Sequence, residues 1–252
     1  MVAYIIERGL ETSLYFYDYD YIRRGRLKIF DNNYISGKTI EEAWRLALWC
    51  CVRNGYDYVV EKGSYEGQIR RQLPYVVIRV EEPWTRPLAP LIPKGIPPVT
   101  VDTQIEKYFM EYILGTHKSD NHDYTYGEFI SQQIEKAINL LNISRGGTNQ
   151  VCITIGNEKS ILLKDPPCLR VITFKVIDNK LQMAVFFRSW DLFTGLPENL
   201  GGLQLLKEFV LAWLNFKVDD GPIVAFSDGL HIYEQYFDLV DLLNVEKINA
   251  GR

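Results

Sequence analysis

Residues 166–203 read PPCLRVITFKVIDNKLQMAVFFRSWDLFTGLPENLGGL, and the fold is decided here. RVITFKV (170–176) and LQMAVFFR (181–188) are rich in β-branched and aromatic residues, and IDNK between them is short and polar. Two such runs with a short polar join predict an antiparallel hairpin, which would bring Phe187 and Arg188 back beside Cys168. Arg188 to Gly202 then crowds arginine, serine, aspartate and asparagine between glycines, as a ligand-contacting loop does. GGLQLLKEFVLAWLNF (201–216) is apolar nearly all round, which predicts a buried helix.

Working outward, VCITI (151–155) predicts one more strand, PIVAFSDGLHIYEQY (222–236) a last strand region and FDLVDLLN (237–244) a last helix. TIEEAWRLALWCCVRNG (39–55) predicts a helix capped by Thr39, with Glu42 three places on and Gly55 at its end. Trp44, Ala47, Leu48 and Cys51 fall at helical spacing there, so Cys50 and Cys51 read as packing residues. LPYVVIRVEEP (73–83) predicts a strand ended by proline, and DTQIEKYFMEYILG (102–115) a helix with Asp102 as N-cap. YGEFISQQIEKAINLLN (126–142) predicts a single helix closed by SRGGTNQ. The proline-dense residues 83–100 would suit a linker or a structured crossing segment, and the need for one core favours the crossing. SLYFYDYDYI (13–22) and RLKIF (26–30) read as two further strands turning at RRG. Helices mixed with hairpin-linked strands predict one α+β domain over residues 1–252, a mixed β-sheet with packed helices.

Composition narrows the function. The chain has 252 residues, 28 Lys and Arg against 32 Asp and Glu, and a formal net charge of -4. That balance argues against a general nucleic-acid surface, yet a few placed arginines would suffice for a phosphate. No apolar run approaches the roughly 20 residues of a membrane span, and Glu7 and Arg8 come too early for a secretory signal, so a cytoplasmic protein is expected. Cys50, Cys51, Cys152 and Cys168 fit neither a zinc set nor a disulfide framework, and His117, His122 and His231 complete no metal motif. No metal is expected.

Taken alone, Cys168 reads as a small buried hydrophobe. Its setting says more. Asp165-Pro166-Pro167 enforces an extended approach without backbone donors at the prolines, and a cysteine nucleophile needs a nearby cation, for which Arg188 is the candidate. Arg188 and Ser189 together could hold a phosphate. His231 and Tyr233, two apart on a strand, point to one side and could share a sugar hydroxyl.

Cys168 in PPC, then RSWD (188–191), GLPEN (195–199) and HIY (231–233), in that order, resemble the thymidylate synthase and pyrimidine hydroxymethylase superfamily. The resemblance covers roughly residues 124–236, with Tyr126 in YTYGEFI included. It implies a homodimer, a uracil nucleotide as substrate and methylenetetrahydrofolate, or a related reduced pterin, as one-carbon donor. By this resemblance Cys168 adds to C6 of the ring, Arg188 orients the thiolate and meets the phosphate, and Ser189 adds a phosphate contact. Asn199 would read uracil, His231 and Tyr233 would hold the sugar, and Tyr126 would join proton transfer at C5. Asp191 and Gly195 would border the pterin, and of Glu106 and Glu111 on the helix before Gly115, Glu111 is the expected general acid/base.

Three departures stand out. Leu169 replaces the histidine usual after the nucleophile, Thr173 replaces a glutamine, and Asn149-Gln150 stands where a partner subunit usually offers an Arg-Arg pair. Arg145 is expected to reach across the dimer instead, with Arg70 or Arg71 as other substitutes. The implied product is thymidylate; a hydroxymethylated nucleotide, a methylated nucleoside precursor and a non-catalytic nucleotide binder remain the other readings.

Overall fold

The computed structural model describes residues 33–63, 65–118 and 123–243, all within one compact unit. The two tyrosine-rich strands expected over 13–30, together with His122, lie outside the described residues. In chain order the elements are β1 (Tyr34–Gly37), α1 (Ile40–Asn54), β2 (Tyr56–Val59), β3 (Ile69–Val80) and α2 (Asp102–Tyr108), which runs into a π turn (Phe109–Ile113). Then come α3 (Gly127–Ile130), α4 (Ile134–Ser144), β4 (Cys152–Thr154), β5 (Leu169–Ile177), β6 (Lys180–Phe187), β7 (Trp190–Asp191), α5 (Gly195–Ala212), β8 (Asp219–Tyr233) and α6 (Phe237–Leu242). The strands form one mixed sheet in the order β1-β3-β8-β6-β5-β4, with β2 on β3 and β7 on β8.

The predicted hairpin is β5–β6, turning through Asp178 and Asn179 at φ 52° and 59°, left-handed backbone that asparagine and aspartate tolerate. β6 and β8 are parallel, and β7 keeps the same register along β8 after a break at Arg188–Ser189. That break frees two side chains at the sheet's end without losing the strand. α5 is the buried helix: Leu196, Leu200, Leu203, Leu206 and Val210 lie in the core. It begins at Gly195, six residues before the predicted run, so Asn199 sits on helix and not in a loop. Asp191 starts it, its carboxylate accepting from the Phe193 N–H and the Thr194 hydroxyl. Pro197 in the first turn costs nothing, since those N–H groups lack helical partners anyway.

α1 matches its prediction, with the Thr39 Oγ1 accepting from Glu42 N–H and Gly55 closing it. Burial pushes the Cys50 and Cys51 thiols up to about 11 and about 12, as for packing residues. Residues 83–100 are indeed a tied crossing: Arg45 Nη2 donates to the Leu91 carbonyl, and Arg86 pairs with Glu208 on α5. Two predicted details change. Asp102 is the first helical residue and not the N-cap, because its carboxylate accepts from Ala89 N–H and anchors the crossing. The helix expected over 126–142 breaks after Ile130, because Gln133 turns to bond both the N–H and the carbonyl of Thr154 on β4.

Candidate active site

The sheet's register gathers the candidate residues. Arg70 on β3 pairs with Tyr233 on β8; Gln72 pairs with His231, which pairs in turn with Asp191 on β7. Cys168 immediately precedes β5, where Leu169 lies opposite Phe187, and the Arg188 N–H donates to the Cys168 carbonyl at 2.9 Å. The hairpin thus delivers Arg188 to the cysteine, as its length predicts.

The Arg188 guanidinium brackets the thiol. Its Nε donates to the Pro167 carbonyl at 3.2 Å, and its Nη2 reaches the Pro166 carbonyl at 2.5 Å, Asp165 at 3.4 Å and the Cys168 sulfur at 3.8 Å. Burial holds the Cys168 thiol above its ordinary value; Arg188 pulls it down and Asp165 opposes that pull. Tyr126, buried, accepts from Leu169 N–H at 3.2 Å and so fixes the chain beside Cys168. Burial pushes its phenol well above the ordinary value, so it stays neutral. Ser189 lies half-buried beside Arg188 at the sheet's end.

Asn199 is held at both ends of its amide. Trp190 Nε1 donates to its Oδ1 at 2.8 Å, and its Nδ2 donates to the Tyr108 hydroxyl at 2.9 Å. An indole N–H can only donate, so the amide's sense is set, with one lone pair and one hydrogen left for a ligand. Trp190 is itself clamped, stacked on Phe187 at 4.0 Å and 3°. Tyr108 reaches Asn199 because α2 and α5 touch through glycine: a Cβ on Gly202 would stand 2.7 Å from Tyr108 and Ile113 atoms.

His231 is 2% exposed; its Nδ1 bonds the Gly229 carbonyl at 3.0 Å while Nε2 has no protein partner. Burial first, then Arg70 and Arg188, lower it to about 4, so the ring is neutral. A buried ring nitrogen without a partner costs on the order of 1–3 kcal/mol, which a ligand hydroxyl would relieve. Tyr233 stands edge-on to His231 at 4.9 Å and accepts from Arg70 Nη2 at 2.7 Å. The Tyr65 ring packs on Tyr233 at 4.3 Å, tilted by 37°.

Not every expected residue joins this group. Glu111 lies in the π turn, 68% exposed, and pairs with Lys107 at 3.9 Å; the same helix turns Tyr108 and Tyr112 inward instead. Arg145 is the exposed left-handed cap of α4 at φ 49°, with no contact to Cys168. Arg71 is forked onto Asp57, which leaves Arg70 as the arginine of that pair within the site. Tyr108, Trp190 and Tyr65 belong to the site without having been singled out, and Asp165 was read only as part of the extended approach to Cys168. Only the four-residue spacing of Tyr108 and Tyr112 was a visible signal.

Gly195 packs closely on Asp191. A Cβ on Gly195 would stand 3.3 Å from Asp191, and the buried carboxylate accepts from Thr194 Oγ1 and from the Phe193, Thr194 and Gly195 N–H groups, which holds it at the start of α5. Among the described residues no cluster of histidine, cysteine and carboxylates suits a metal, and no helix is long and apolar enough to cross a membrane.

Comparison with known proteins bears on the family and the fold. The family model described as thymidylate synthase matches residues 111–249. A Methanosarcina barkeri protein named "Putative thymidylate synthase" is 28% identical over 215 residues, 82% of this chain and 92% of that protein. A Wigglesworthia glossinidia brevipalpis thymidylate synthase is 30% identical over 111 residues, 44% of this chain and 41% of that one. The thermostable thymidylate synthase A from Bacillus subtilis shares the fold, with a TM-score of 0.62 at 16% identity over 82% of this chain and 84% of its own. With a mixed sheet, a bracketed cysteine and a family match across more than half its length, the chain belongs to the thymidylate synthase family of enzymes.

Proposed function

We propose that this cytoplasmic enzyme transfers a one-carbon unit to C5 of a uracil nucleotide, converting dUMP to dTMP. The observation that carries the reading is the Arg188 guanidinium beside Cys168, with Asn199 tied to Trp190 of β7 and with His231 and Tyr233 on β8, the strand that β7 pairs with. The thiolate sulfur bonds to C6, and the C5=C6 electron pair moves onto C5 and O4. The free Asn199 Nδ2 hydrogen meets O4 and its Oδ1 lone pair accepts N3–H. Cytosine presents the opposite donor and acceptor at those positions, so the orientation set by Trp190 and Tyr108 selects uracil.

His231 Nε2 and the Tyr233 hydroxyl take the sugar, while Arg188, Ser189 and Arg70 offer charge and hydrogen bonds to the phosphate. A neutral Tyr126 orients the groups at C5 and does not act as a base. Asp191 and Gly195 would border a reduced folate, which would supply both the carbon unit and the hydride that reduces it to methyl, while C5–H leaves as a proton and the C6–S bond breaks to free Cys168.

We further propose a homodimer. Tyr34, Val77, Phe226, Phe186 and Val171 are register partners in turn across five strands, an apolar row on one sheet face with Tyr34 62% and Phe226 43% exposed. Such a row suits burial against a second copy. Arg145 then serves the neighbouring site's phosphate.

The test is incubation with C5-tritiated dUMP and methylenetetrahydrofolate. Tritium release with a product 14 mass units above dUMP supports methylation; a hydroxymethyl product redirects the reading to a hydroxymethylase. Release that persists in Cys168→Ser would defeat the assignment of the nucleophile.

A further inference from the structure

We propose that Asp165 is a positioning residue that, before nucleotide binds, withholds Arg188 from Cys168. The idea rests on the reading of Cys168 as nucleophile given above. Its ground is a shortage of hydrogens. Arg188 Nη2 carries two, and three acceptors stand around it: the Pro166 carbonyl at 2.5 Å, Asp165 Oδ1 at 3.4 Å and Cys168 Sγ at 3.8 Å. The carbonyl, closest, holds one of them. Carboxylate and sulfur compete for the other, and a charged carboxylate is the stronger acceptor.

The competition is built into the chain. Asp165 stands three residues before Cys168, and the two prolines between them fix the span. Their carbonyls also hold Arg188 Nε and Nη2 whatever Asp165 does, so removing its charge leaves the guanidinium in place. The pair is open to water, with Arg188 35% and Asp165 58% exposed, so it is weak enough to be displaced. A nucleotide phosphate arriving at Arg188 repels the carboxylate, and the hydrogen passes to the sulfur. The other groups facing the thiol are Arg70, which favours the thiolate, Asp191, which opposes it, and Tyr108, Tyr112, Tyr124 and Tyr126, all held as neutral phenols.

The test is the rate of iodoacetamide alkylation at Cys168 against pH, followed by mass spectrometry of its peptide in the nucleotide-free full chain. Asp165→Asn keeps the shape and removes the charge. Its profile moves to lower pH by about half a unit, which is about threefold faster alkylation below the midpoint, and its KM for dUMP falls. Asp165→Glu restores the original profile. A midpoint that is unchanged or higher in Asp165→Asn, or a raised KM, overturns the proposal. Alkylation does not depend on turnover, so a missing methyltransfer activity would overturn the reading of the reaction while leaving these midpoints to decide the role of Asp165.

Discussion

Tyr108→Phe removes one oxygen and should disclose how the base is read. The phenyl ring keeps its stack on Tyr112, 5.5 Å away and 20° from parallel, and its seat against Gly202. What disappears is the acceptor for the Asn199 Nδ2 hydrogen at 2.9 Å. A hydrogen bond of this kind is worth about 1–1.5 kcal/mol. Trp190 still grips the other end of the amide, so the loss falls on orientation and not on packing. The expected result is a drop in kcat/KM for dUMP of about five- to tenfold, with Tm nearly unchanged because no volume is lost. Steady-state kinetics and thermal unfolding measure the two. The same substitution in an Asn199→Ala background should do nothing further, since Tyr108 acts through Asn199. A kcat/KM within twofold of the parent, or an equal loss in the Asn199→Ala background, would refute the reasoning.

Three other outcomes follow from the same contacts. His231 is lowered from 6.5 to about 4, so the unfolded chain takes up its proton first and stability falls as pH drops from about 6.5 to about 4; His231→Gln should flatten that part of the Tm-against-pH curve. Lys207, fully buried and lowered to about 8 by burial, pairs with Asp220 at 2.8 Å, so Asp220→Ala should cost about 3–5 kcal/mol by urea unfolding, and Lys207→Met with Asp220→Asn should recover most of it. Arg145→Ala should raise the KM for dUMP, and mixing it with Cys168→Ser chains should restore activity in hybrid dimers; an unchanged KM would defeat the cross-subunit role.

Much of this fold is legible in the chain because its signals are local. Thr39, Glu42 and Gly55 delimit α1 with their own backbone neighbours, and IDNK places two residues that tolerate left-handed backbone where the hairpin needs them. The spacing of Cys168, Arg188, Asn199, His231 and Tyr233 is also linear information, and it carried the resemblance to the family. The site's details are not linear. Whether the helix before Gly115 turns Tyr108 or Glu111 inward depends on its contact with Gly201 and Gly202, and that packing sends Glu111 to solvent. Gln133 breaks a helix that its own neighbours would extend, because a β4 edge from twenty residues on offers it two bonds.

The sequence by itself therefore determined the strand-hairpin-helix order, through caps, turns and periodicity that act within a few residues, and its ordered motifs singled out Cys168 among four cysteines. Only the tertiary structure decided what surrounds that cysteine: Arg70 against Tyr233, Tyr108 on Asn199, and Asp165 set against Cys168 for one hydrogen of Arg188. The physical reason is that strand register and helix contact fix these pairs, and both are settled by burial across the whole core.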